Sequence, residues 1–300
     1  MLKTWLITAL LTGGGTTDDP APPRWGSVGH EMAARTATGV LPSAMPAFFR
    51  GAADQLVYLD AEPDRWRDPD LREMDQAWSY DHYIDLENIP NGALDAADRF
   101  TFLKALYDSG LEKPERDGGF LPYRIIEVYQ RIVTGWRRWR SEDDVQQKQW
   151  IEARILNDAG ILGHYVTDAS QPHHTTIHFN GWSAGVPNPE GYTDDRSFHA
   201  RFESGFVEAH LTQADVDGRA RQGSPPSVAG AARAAVWAYL EESHSHVAEL
   251  YRLDRDIGFD PEAPTQAATR DFAARRLAAG ADMLAELWWS AWLESEEEPS

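Results

Sequence analysis

The 300-residue chain has no cysteine, which excludes disulfides and thiolate metal sites. It is also short of positive charge: 28 Lys and Arg stand against 48 Asp and Glu, a formal net charge of -20. Such a surface disfavours non-specific attachment to nucleic acid or to an anionic membrane, although bound cations would reverse the field locally. No apolar run is long enough to span a bilayer. Strand-like alternation never persists beyond a few residues, and no segment repeats. Neither a Ser-His-Asp order nor a glycine-rich phosphate loop stands out. What is present is a 42% hydrophobic composition with 12 Trp, enough for a substantial core without disulfide support.

Residues 1–24 read as a signal peptide and linker. Lys3 supplies a positive start, Trp5 to Leu11 a short apolar stretch, and Gly13-Gly14-Gly15 small residues for cleavage. Export to the periplasm or the medium is therefore expected. Residues 16–24 are rich in Pro, Asp and Thr and read as the linker. Residues 25–293 are expected to form one all-α, multi-helix domain, and 294–300 an acidic tail. Helices are expected over 28–38, 46–58, 100–107, 122–140, 150–168, 197–211, 228–250 and 267–292. In the fourth, Ile125, Ile126, Tyr129, Ile132, Val133 and Trp136 recur at helical spacing. Residues 60–75, with Pro63 and Pro69, are expected to be loop or short helix. Residues 178–197 hold three Gly and two Pro and read as a long irregular loop.

Two stretches carry chemistry. His164 precedes Asp168 by four residues, and His199 precedes Glu203 by four. On a helix this spacing puts imidazole and carboxylate on one face, one turn apart. Imidazole with carboxylate oxygen suits zinc. With His174 just beyond the first pair, the pattern points to a multi-zinc hydrolytic centre.

The order of further motifs supports this. Trp25-Gly26-Ser27-Val28-Gly29-His30 comes first, then Pro63-Asp64-Arg65-Trp66-Arg67, then His82-Tyr83-Ile84-Asp85-Leu86-Glu87. The stretch from His164 through Gln171-Pro172-His173-His174 and the His199/Glu203 pair complete the series. From Trp25 to about Phe206 the chain resembles the zinc-dependent phospholipase C / single-strand nuclease superfamily. The resemblance implies up to three zinc ions. Asp64, His82, His164 and Asp168 would surround one, and His174, His199 and Glu203 a second. Trp25 and His30 would hold the third, with Asp168 bridging the first and third. Trp25 would bind through its own amino nitrogen and carbonyl, which requires cleavage after Arg24.

The resemblance also implies a mechanism. A water bridging the zincs at Asp168 would attack a phosphodiester, with Asp64 as both ligand and water-orienting group. Asp60 and Asp68 compete with Asp64 for that place. Ser170 and Glu203 lean toward the phospholipases, whereas the Trp25-to-His30 spacing leans toward the nucleases. The substrate is thus expected to be a phospholipid or a single-stranded nucleic acid, and the enzyme a monomer without a stable protein partner. A catalytically silent metal-binding protein is the remaining alternative. His173 is expected to pack, His178 to edge the site from its loop, His210, His244 and His246 to lie at the surface, and Trp288, Trp289 and Trp292 to belong to the core. Tyr83 and Phe179 would flank the site.

Overall fold

The computed structural model describes residues 26–296. The expected signal peptide and linker, and Trp25, lie outside the described residues. Eight helices of eight residues or more run through that span. They are α1 (Ser27–Gly39), α2 (Ala53–Asp60), α3 (Arg99–Asp108), α4 (Leu121–Ser141), α5 (Val145–Asp168), α6 (Ala232–Ser245), α7 (Val247–Asp256) and α8 (Ala267–Glu294). Shorter helical turns connect them, and the described residues contain no strand. The all-α expectation holds.

Sequence chemistry accounts for the main elements. Pro122 stands in the first turn of α4, where its missing N–H leaves no bond unmade. The Asp144 carboxylate caps α5 by accepting from the Gln147 N–H at 2.8 Å. Only residues 142–144 join α4 to α5, so the two pack antiparallel. Trp136 from α4, Phe49 and Trp288 from α8 meet at ring separations of 5.5 and 5.6 Å in the principal core. A smaller core gathers Phe198, Phe202, Phe206, Tyr251, Phe259 and Phe272.

Two glycines on α5 determine how closely α2 lies. A Cβ on Gly160 would fall within 3.0 Å of Leu59 Cβ, and one on Gly163 within 3.0 Å of the Asp60 Oδ2. The face α5 turns to α2 must therefore lack a side chain at both positions, and the approach carries the end of α2 to the flank of His164.

Three expected helices differ in detail. The segment 46–58 is interrupted around Gly51 into Ala47–Arg50 and α2. The segment 228–250 divides at His246 into α6 and α7. Its Ser243-His244-Ser245-His246 run is weak in helix propensity, and the Ser245 hydroxyl donates to the Glu242 carbonyl at 2.6 Å. The segment 197–211 is helical but not uniformly α, because residues Arg201–Phe206 form a π turn. Glu294, the first residue of the expected acidic tail, belongs to α8, where it accepts the Tyr129 hydroxyl at 2.7 Å. Arg140 fastens Ser295 and Glu296 next to it.

Candidate metal centre

The site forms where five segments converge. The last turn of α5 brings His164 and Asp168. The short helix Glu62–Arg65 brings Asp64 and the turn Ser79–His82 brings His82. The turn Pro172–Thr175 brings His174, and the stretch from Phe198 through the π turn brings His199 and Glu203. His30 joins them from α1.

Two donor sets result. In the first, His82 Nδ1 lies 3.0 Å from Asp168 Oδ2 and 3.0 Å from His164 Nε2, and His164 Nε2 lies 3.3 Å from Asp168 Oδ2. Asp64 Oδ1 stands 3.9 Å from His164 Nε2. In the second, His199 Nε2 lies 2.8 Å from Glu203 Oε2 and 3.2 Å from His174 Nε2, which is 3.5 Å from Glu203 Oε2. Zinc bonds of about 2.0–2.1 Å in a tetrahedron separate their donor atoms by roughly 3.3 Å. Both sets are close to that spacing. A third grouping, His30, His164 and Asp168, shares Asp168 with the first, for Asp168 Oδ1 faces His30 Nε2 at 3.6 Å.

The residues fit zinc on a second count. His174 Nδ1 donates to the His82 carbonyl at 2.6 Å, which leaves Nε2 as the lone-pair atom facing His199 and Glu203. His82 Nδ1 meets His164 Nε2 at 3.0 Å, and His199 Nε2 meets His174 Nε2 at 3.2 Å, each pair beside a carboxylate oxygen. Two such nitrogens can share at most one proton, whereas a cation between them takes both lone pairs and the carboxylate.

The electrostatics follow from burial. Desolvation lowers His82 to about 4 and also lowers His199. His164 is pulled the other way: burial opposes its charge, but Asp168 and the neighbouring carboxylates raise it to about 9. His174 is likewise raised, against burial, by Asp168 and Glu203. Burial raises the two carboxylates, yet the imidazoles win: His174 and His164 hold Asp168 well below its ordinary value, and His199 and His174 hold Glu203 at about 2.

Of the competitors for the Asp64 place, Asp68 turns away and accepts the Asp70 N–H. Asp60 is fully buried behind His30, its Oδ1 2.9 Å from His30 Nδ1. Among the described residues the donor group with His82 and His164 contains Asp64 and neither competitor.

Sequence reasoning passed over several groups that build the site. Gln171 is fully buried; its carbonyl accepts the His173 N–H at 2.7 Å and its amide donates to Glu203 Oε2 at 3.2 Å. It thereby ties the His174 turn to the π turn. Arg67, 5% exposed, places Nη1 3.6 Å from Asp64 Oδ1. Asp81 is buried and held by Arg99 at 2.9 Å and by Arg124, and it anchors the backbone next to His82. Gln171 and Arg67 lie inside the quoted motifs, and their neighbours were the available signal.

The remaining histidines are engaged. His173 packs among Phe198, His199, Phe202 and Tyr251. His178 stacks on Trp182 with ring centres 3.7 Å apart, and its Nδ1 accepts the Ser183 N–H. His210, His244 and His246, expected at the surface, are half-buried and bonded to the Asp260 carbonyl, the Thr175 carbonyl, and Glu242 with Glu249. Trp288 and Trp292 are core residues. Tyr83 donates its hydroxyl to the Arg116 carbonyl at 2.6 Å.

Among the described residues, no helix is long and apolar enough to cross a membrane. No protein-family model matches the chain, and no curated protein matches it. Among solved structures, the alpha toxin from Clostridium absonum matches with a TM-score of 0.44 and 12% identity, over 93% of this chain and 67% of that one.

Proposed function

We propose that the chain is a zinc-dependent hydrolase of phosphoester bonds, of the phospholipase C / single-strand nuclease type. What supports this reading is the meeting of seven side chains from five separated segments in two donor sets of zinc-like spacing. Asp64, His82, His164 and Asp168 would hold one zinc, and His174, His199 and Glu203 a second. His30, Asp168 and Trp25 would hold a third. Zinc bound there would offset charge on the phosphoryl oxygens and make water more acidic.

The protein's own groups would do the rest. Asp64 is the least buried member of the set, its side chain 13% exposed. It is the carboxylate placed to orient an attacking water and accept its proton. Arg67 sets a permanent positive charge beside Asp64, where an anionic phosphate would arrive. Asp81, locked by Arg99 and Arg124, keeps the His82 backbone in place. In this reading the protein is exported and acts as a monomer.

The test is hydrolysis of bis-p-nitrophenyl phosphate by the zinc-reconstituted full chain. Two to three zinc per chain are expected by elemental mass spectrometry, and His164→Ala and His199→Ala should each abolish turnover. Absence of bound zinc, or full activity in both variants, overturns the proposal. Parallel assays on phosphatidylcholine vesicles and single-stranded DNA assign the substrate class.

A further inference from the structure

His30 and His164 lie face to face, ring centres 4.2 Å apart and 8° from parallel. Their Nε2 atoms look toward the same carboxylate but toward different oxygens: His30 toward Asp168 Oδ1 at 3.6 Å, His164 toward Asp168 Oδ2 at 3.3 Å. Their Nδ1 atoms look the other way, toward one oxygen of a second carboxylate. Asp60 Oδ1 is 2.9 Å from His30 Nδ1 and 4.0 Å from His164 Nδ1. Two stacked imidazoles are thus enclosed between two carboxylates.

Asp60 is an unusual residue to bury. It is fully enclosed, and among the described residues neither of its oxygens has an aligned hydrogen bond. Burial raises its pKa, against the pull of His30 and His164. A carboxylate with no role would not be retained in such a place without cost. An imidazole that gives its Nε2 lone pair to a cation must carry its proton on Nδ1 and needs an acceptor there.

We propose that Asp60 is a positioning residue of the metal centre, a carboxylate that receives the Nδ1 proton of His30, faces the Nδ1 of His164 from 4.0 Å, and so points the His30 Nε2 at a neighbouring cation position. The inference rests on the metal-centre reading given above. It assigns Asp60 no bond to the cation, because Asp60 and Asp168 face opposite nitrogens of His30. Contact is closer to His30, so the position served by His30 depends on Asp60 most. The position at His174, His199 and Glu203 has no atom in this arrangement and serves as an internal reference.

The experiment titrates the protein cleaved after Arg24, alongside the uncleaved chain, with zinc against a chromophoric chelator and reads stoichiometry by native mass spectrometry. Wild type, Asp60→Asn and Asp60→Ala are compared, with Asp54→Ala on the same helix as control, since Asp54 is exposed. Loss of such an outer partner weakens metal affinity about 10- to 100-fold. Asp60→Ala should therefore release one zinc that much more readily while the reference position stays filled. Asp60→Asn, which keeps an acceptor oxygen, should fall between it and wild type, and Asp54→Ala should match wild type. Gly163→Ala approaches from α5, pushing on Asp60 Oδ2, and should reproduce the loss if Asp60→Ala fails to fold. In the zinc-loaded wild type, nitrogen-15 spectra of the imidazoles should show a protonated Nδ1 on His30. Unchanged affinity in Asp60→Ala, or equal loss at all positions, overturns the role of Asp60 and leaves the metal centre standing. A wild type that binds no zinc removes the parent reading along with it.

Discussion

Gly160→Ala tests how the helices place the site. The added Cβ would stand within 3.0 Å of Leu59 Cβ, 3.2 Å from the Leu56 carbonyl oxygen and 3.3 Å from the Leu59 carbonyl carbon. Carbon atoms rest at about 3.5–4.0 Å, so α2 must retreat by roughly 0.5–1 Å or more. Two of the three obstructing atoms belong to the main chain and cannot swing aside. Overpacking of this kind costs about 1–3 kcal/mol, a fall in melting temperature of roughly 2–5 °C for a chain of this size. Leu59 precedes Asp60, so the retreat also draws that carboxylate away from His30, and zinc affinity should fall together with stability. Gly39→Ala is the matched comparison. A Cβ there meets nothing within 4 Å, and removing a helical glycine should add about 0.5–1 kcal/mol. Thermal melts followed by circular dichroism, with zinc content measured on the same samples, decide the matter. If Gly160→Ala melts with wild type and retains its zinc, close approach of α2 to α5 is not what sets the site.

Further perturbations separate the parts. Asp168→Ala removes a carboxylate that faces both His30 and His82, so zinc content should fall by two per chain, against one for His199→Ala; elemental analysis after desalting gives the counts. Asp81→Ala strips a buried partner from Arg99 and Arg124, at a cost of about 3–5 kcal/mol, read as a lower urea midpoint. Without zinc, the raised His164 should stabilise the fold below its unfolded value of about 6.5, a contribution lost as pH climbs through about 9. The depressed Glu203 acts in the opposite sense, its contribution present above about 4.5 and lost as pH falls through about 2. The lowered His82 and His199 must be charged as pH falls below about 6.5, at a cost in stability. The melting temperature of the zinc-free protein should therefore be highest at about pH 6–7 and fall on either side; a flat profile from about pH 7 to 10 contradicts the assignment at His164.

The helices with strong periodicity were legible in the sequence. The Ile and Trp pattern of residues 122–140 became α4 with one residue added at each end. The His164/Asp168 and His199/Glu203 pairs were legible for the same reason, since spacing along one helix face is a local property. Asp60 was visible only as a rival to Asp64, because its role depends on a glycine about a hundred residues away that admits it to the flank of His164. The π turn at Glu203 left no trace in the spacing, as the pair works at four residues in either kind of turn. Gln171 sat in the most specific motif of the chain, but its link to Glu203 spans 32 residues and emerges only in three dimensions.

The position of Asp168 at the end of α5 has a consequence for the order of binding. Peptide dipoles aligned over 24 residues leave the C-terminal end of a helix partly negative, and no Lys or Arg stands in that last turn to balance it. Empty, the centre is thus a repulsive place for a phosphate twice over, through its carboxylates and through the backbone that carries them. On the proposed reading, cations would bind first and the anionic ester second, so filling of the centre by cations would precede any encounter with substrate, and the protein without metal should bind phosphate more weakly than the zinc-loaded form.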